Sequence, residues 1–197
     1  LSAWREHFRG WIRLPEPQNL LEFSTFFDFR CLCGEPNLAQ ALRELVKEEL
    51  ASSPAFLGHM AQATLQYKAP LGFFGNLVPH THHAVDIKEA LAPLVHIARL
   101  YALRHDLQER STLDRFRRLQ EMGILSTTGF EELSQAYDFA LTFRLKHQAD
   151  FLATGAPADN QVDLKSLTHF EESMLKQAFA QVSLLQKKVS FDFLGLG

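Results

Sequence analysis

Apolar residues recur at helical spacing over one long stretch of this chain after another, and that periodicity decides the fold class. Toward the C-terminus Leu164, Leu167, Phe170, Met174, Leu175, Ala178, Val182 and Leu185 fall three or four positions apart, which predicts a helix over about 164–188. In NLAQALRELVKEEL, Leu38, Leu42, Leu45, Val46 and Glu49 trace one face, apolar until its last member. Pro54 can open the next helix, with Phe56, Leu57, Met60, Ala61, Thr64 and Leu65 inward. Leu94, Ile97, Ala98, Tyr101 and Ala102 form a further stripe. Because proline is tolerated in a first turn and disruptive later, Pro93 sets the expected start of that helix near Ala92, with Val85–Lys88 as an extended lead-in. Ser111 with Asp114, and Thr128 with Glu131, carry the spacing of a capping box. The second of these opens a helix to about Leu152, with Leu133, Tyr137, Ala140 and Leu141 inward.

Two regions break the helical pattern. APLGFFGNLVPHTHHAVDIK mixes Gly, Pro and bulky apolar residues without a period and reads as a loop or small hairpin around 71–88. Near the N-terminus Trp4, Phe8 and Trp11 predict a short helix that Pro15-Glu16-Pro17 interrupts, and TFFDFR then has strand composition. The expected fold is therefore mainly α: a helical bundle preceded by a short extended N-terminal segment. One domain is expected over 1–197, with 1–35 as the N-terminal piece and 36–190 as the bundle.

Charge narrows the function. A net charge of -3 and a pI near 6.3 give no electrostatic reason to expect a nucleic-acid partner. No apolar run approaches a membrane span, and no secretory signal opens the chain. Its only cysteines, Cys31 and Cys33, have a spacing that suits neither a disulfide nor the usual zinc sites; free thiols point to the cytoplasm. The chain opens on Leu rather than Met and reads as an excised piece.

Polar residues on apolar stripes are the candidates for chemistry. Asp28 and Arg30 lie two apart inside a block of phenylalanines, where an unpaired charge is costly. A structural pair between them, a sheet-edge accident, and a ligand or metal site all account for the pattern. The inward stripe of the helix over 129–152 turns polar at Arg144, His147 and Gln148, either a solvated helix end or a donor cluster facing a polar or anionic ligand. Asp86 and Lys88 precede a helix that carries Arg99, and Asp86 is favourable there on dipole grounds alone. Asp159-Asn160 reads as an Asx turn. His80, His82 and His83 fit no standard helix-borne zinc spacing. There is no nucleophile elbow, phosphate loop or dinucleotide fingerprint.

The segments FFDFRCLCGEPNLAQALR, PLGFFGNLV, VDIKEALAPLVHIARLYALRHDL, TLDRFRRL, AYDFALTFRLKHQ, ADNQVDLKSL and LKQAFAQVSLLQ, in that order, resemble the nucleotidyltransferase family whose C-terminal part is called a substrate-binding domain. Its members are similar to the protein-PII uridylyltransferases and, more distantly, to glutamine synthetase adenylyltransferase. The resemblance implies a signalling protein in which CBS or cyclic-nucleotide-binding modules and a catalytic domain precede the helical one. That catalytic domain would carry a Gly-Ser turn and an Asp-x-Asp pair, holding Mg²⁺ on a nucleoside triphosphate for attack at the α-phosphate. This chain has neither motif, so it is not expected to transfer nucleotides or to bind a cofactor alone. By the same resemblance Asp28 is expected as the third metal carboxylate of the intact protein, with Arg30 as its partner or a triphosphate contact. Asp86, Lys88, Arg99, Arg144, His147 and Gln148 are expected to contact nucleotide or substrate. The implied partners are the upstream catalytic domain, a nucleoside triphosphate and a target protein. Two alternatives stay open: a protein–protein module anchored by Trp4, Phe8 and Trp11, and a metal hydrolase using His80, His82 and His83.

Overall fold

The computed structural model describes residues 1–72, 75–79, 83–155 and 157–196. Among them run α1 (Ser2–Arg13), α2 (Pro17–Phe26), α3 (Pro36–Ser52), α4 (Ala55–Thr64), α5 (Lys88–His105), α6 (Thr112–Glu121), α7 (Thr127–Ala153) and α8 (His169–Leu194). Two short strands, β1 (Ala84–Asp86) and β2 (Gln161–Asp163), pair antiparallel, with Val85 opposite Val162. The fold is the mainly helical bundle that the periodicity predicts.

Local chemistry explains most helix ends. Pro17 and Pro36 sit in first turns, where a missing N–H costs nothing. Ser111 and Ser126 accept from the amides of Asp114 and Gly129, at 3.1 and 3.0 Å. Thr168 and Glu171 form a reciprocal capping box. The Thr168 backbone amide and hydroxyl, followed by Lys146, hold the Glu171 carboxyl below its ordinary range.

Helix starts nonetheless move from their expected places, for three physical reasons. α5 begins at Lys88, so Pro93 lies inside it. The Asp86 carboxylate accepts from the Lys88 amide at 2.8 Å, and the added turn buries Ala90 and Leu91 completely or nearly so. That burial outweighs the lost proline hydrogen bond. α7 starts at Thr127 because Ser126 supplies the cap before Thr128 can. At the other end of the bundle, Asp163 holds Leu164–Ser166 in a 3-10 turn, and Thr168 starts α8 only afterwards. α8 then runs on to Leu194, where left-handed Gly195 (φ 66°) closes it by donating to Phe191.

The strand expected over Thr25–Arg30 does not form. Ser24 and Thr25 hydroxyls donate back to the Leu21 carbonyl, Phe23 is fully buried, and α2 continues to Phe26 before turning at Phe27 and Asp28. Around 71–88 the hairpin is small: Leu71 bridges Leu77, while Ala84–Asp86 pairs not with that turn but with Gln161–Asp163.

Two hydrophobic clusters fill the interior. The larger joins Phe8, Ile12 and Phe23 of α1 and α2 to Phe56, Ile97, Tyr101, Phe116 and Val182. The smaller gathers Val85, Ile87, Leu91, Val162, Leu175 and Phe179 under the strand pair. Helices α5, α7 and α8 contribute to both and so carry the bundle from one cluster to the other.

α1 is fixed to α3 by Glu49, a buried carboxylate that accepts from Arg9 at 2.8 Å and Arg13 at 3.0 Å. Burial pushes its carboxyl up, but the two guanidinium groups prevail and hold it below the ordinary value. Glu49→Gln should therefore lower the unfolding free energy by about 2 kcal/mol at neutral pH. Because the folded-state pKa is depressed, the parent's advantage is complete above the unfolded carboxyl value of ~4.3 and fades as pH falls through the folded one. Urea unfolding of parent and variant at pH 7 and pH 3 checks this: the gap must shrink in acid.

Candidate functional site

The turn after α2 carries Asp28 toward α5 and α6. Arg99, on α5, donates through Nε to Oδ2 at 3.0 Å. Arg115, on α6, forks onto both oxygens, Nη1 to Oδ2 at 3.2 Å and Nη2 to Oδ1. Its own Nε donates to the Glu109 carbonyl at 2.8 Å, and its guanidinium lies over the Phe27 ring. The Arg115 side chain is only 4% exposed and that of Asp28 21%, so the pair is largely withdrawn from water. The acid among phenylalanines is explained by these two arginines. Arg30 is exposed and is not one of the hydrogen-bonded partners of Asp28.

Asp28 and Arg115 line a recess of about 280 Å³ between α3, the end of α5 and the loop into α6. Arg43 of α3 lines it as well. Its Nη1 donates to Gln108 Oε1 and its Nη2 to the Phe29 carbonyl, both at 3.0 Å, with the guanidinium 5.4 Å from the Phe29 ring centre. Burial and the neighbouring Arg110 guanidinium push Arg43 below its ordinary value; Asp28 opposes that shift and Arg115 adds to it. Lys47 also lines the recess and is paired with Asp106 at 2.5 Å.

The remaining expected residues gather elsewhere. Arg144 Nε and Gln148 Nε2 donate to Asn160 Oδ1 at 2.8 and 3.2 Å, and His147 meets Asp159 at 3.3 Å. Asp159 also accepts from the Gln161 amide, the expected Asx turn. Gln161 in turn donates to Asp86 at 3.1 Å, and the Ile87 amide donates to the Asn160 carbonyl at 3.0 Å. Asp86, Arg144, His147 and Gln148 thus form one clasp that holds the strand pair on α7. Lys88, exposed at the start of α5, is roughly 16 Å along the helix axis from Arg99. None of Asp86, Lys88, Arg144, His147 or Gln148 lines the recess of Asp28. The single polar site suggested by the sequence is two.

Arg43, Arg110 and Arg115 were not legible as site residues. Arg115 had a signal: it lies on the stripe Thr112, Arg115, Phe116, Leu119, the buried face of an otherwise strongly charged helix. The metal expectations fare differently. Both Asp28 oxygens are occupied by guanidinium groups, and among the described residues no three His, Cys, Asp or Glu side chains gather as a cation site. As placed in this chain, Asp28 is therefore an arginine partner rather than an open cation ligand. His80 and His82 lie outside the described residues; His83 has a left-handed backbone (φ 68°) and its carbonyl accepts from Leu164. Phe8 and Trp11 are core residues, which leaves only Trp4 of the expected aromatic anchor exposed, packed on Phe26.

The Asp28–Arg115 pair should be tightly coupled. Asp28→Ala leaves a buried guanidinium without its counter-charge and is expected to cost about 3–5 kcal/mol in urea unfolding. Adding Arg115→Met should restore most of that loss, and additive effects of the two changes would contradict the coupling.

No curated protein and no solved structure matches the chain. A family model described as "Putative nucleotidyltransferase substrate binding domain" matches residues 54–193. The match takes in α4 to α8, including Arg99, Arg110 and Arg115, and leaves Asp28 and Arg43 on its N-terminal flank. With most of its length accounted for in this way, the chain belongs to the family of nucleotidyltransferase substrate-binding domains.

Proposed function

We propose that this chain holds a substrate of nucleotidyl transfer in the recess of Asp28, Arg43 and Arg115, while a catalytic domain outside the chain performs an adenylyl- or uridylyl-type transfer. The observation that carries the reading is the pre-set guanidinium wall. Asp28 locks Arg115, while Gln108 and the Phe29 carbonyl lock Arg43, so these two arginines of the recess lining are held in place before any ligand arrives. Fixed donors of this kind bind anionic groups at low ordering cost.

Mg²⁺ belongs, in this proposal, to the catalytic domain. The role of Asp28 is to position the arginines. Arg99 acts through Asp28, whereas Asp86, Arg144, His147 and Gln148 serve by keeping the strand pair in place. The partners are that domain and a nucleoside triphosphate or the acceptor it modifies.

Steady-state transfer by the chain joined to its nucleotidyltransferase domain tests the reading. Arg43→Ala is expected to raise KM for the anionic substrate about tenfold with kcat within about twofold, the signature of lost uniform binding. A fall in kcat with KM unchanged would remove the recess from substrate holding.

A further inference from the structure

Two acids around the recess are already committed, and two of its arginines are not. Asp28 is shared by Arg99 and Arg115, and Asp106 is held by Lys47. Glu109 acts on Arg118 of α6 and is not among the groups that act on Arg43. Arg43 spends two of its five N–H donors on neutral oxygens. Arg110 lines the recess, is exposed, and makes no hydrogen bond or ion pair among the described residues. Arg110 and Arg115 therefore both act on Arg43 across a recess whose lining carries the carboxylates of Asp28, Asp106 and Glu109, the first two already paired with Arg99, Arg115 and Lys47.

We propose that Arg43 and Arg110, backed by the charge of Arg115, form a site for phosphoryl groups. This deepens the reading of the recess as the substrate site and rests on it. Size supports the assignment. At about 280 Å³ the space is near the lower end of the ~300–1,000 Å³ typical of ligand pockets and has room for phosphoryl groups. Geometry supports it as well. Arginine forks match phosphate oxygens two at a time; Arg43 and Arg110 have donors free for this, while Arg115, spent on Asp28 and the Glu109 carbonyl, contributes its charge. An anion here also relieves the repulsion that, together with burial, depresses Arg43. The same chemistry is offered by the triphosphate of a nucleotide and by a single phosphoryl group on an acceptor.

Isothermal titration of the chain with sodium tripolyphosphate, orthophosphate and citrate tests the proposal. Tripolyphosphate is expected to bind one-to-one and to weaken as salt rises. Arg110→Glu, a change at an exposed residue that does not threaten folding, should weaken it at least about tenfold. Lys176→Ala, on α8 and outside the recess, should leave it unchanged. A preference for tripolyphosphate over orthophosphate assigns the site to a nucleotide's phosphate chain, and equal affinity assigns it to one phosphoryl group. Citrate binding as tightly as tripolyphosphate, or no effect of Arg110→Glu, overturns the proposal. If polyphosphate fails to bind while Arg43→Ala still raises KM in the joined protein, the phosphate assignment falls and the substrate-holding role stands. Failure of both removes both.

Discussion

Burying Arg115 is the most demanding step in the fold around the recess, because a guanidinium cannot shed its charge when it leaves water. Everything nearby is arranged to make that burial tolerable. Asp28 supplies the counter-charge, the Glu109 carbonyl takes the Nε donor, and Phe27 offers the face of its ring. Asp28 can do this only because α2 ends at Phe26, which turns the chain back toward α5 and α6. One carboxylate thereby joins three parts of the chain that are far apart in sequence.

The two hydrophobic clusters divide the labour. The larger one assembles the recess, since the residues behind Asp28 and Arg43 belong to it. The smaller one supports the strand pair and the clasp of Arg144, His147 and Gln148 on Asn160. α5 takes part in both arrangements, giving Asp86 its amide partner Lys88 at one end and Asp28 its Arg99 further along. A displacement of α5 along its axis would therefore disturb the clasp and the recess together, although the two share no residue.

Helix identity could be read from the sequence, and helix ends could not. Stripes such as Leu175, Ala178 and Val182 report burial directly, and the structure buries them fully. The starts depend on competitions that periodicity does not encode: Ser126 against Thr128 as a cap, or burial of Ala90 and Leu91 against the cost of Pro93. TFFDFR misled because β propensity reflects packing on a sheet, and among the described residues no strand pairs with it. The site was half visible. Asp28 stood out as an acid in apolar surroundings, yet its partners lie on α5 and α6, and the charged run DRFRRL conceals which arginine turns inward. Arg144, His147 and Gln148 were recognisable as a group, while their acceptor came from a turn that only tertiary pairing places against them.

The strand pair has a further consequence for how the molecule assembles. Ala84 lies opposite Asp163, so the ribbon closes a loop that contains all of α5, α6 and α7. Loop-closure entropy grows with that length, and three residue pairs return little for it. The ribbon therefore has to wait until the enclosed helices have docked and brought its strands together. It acts as a late latch, closing over a bundle whose helices have already found their neighbours.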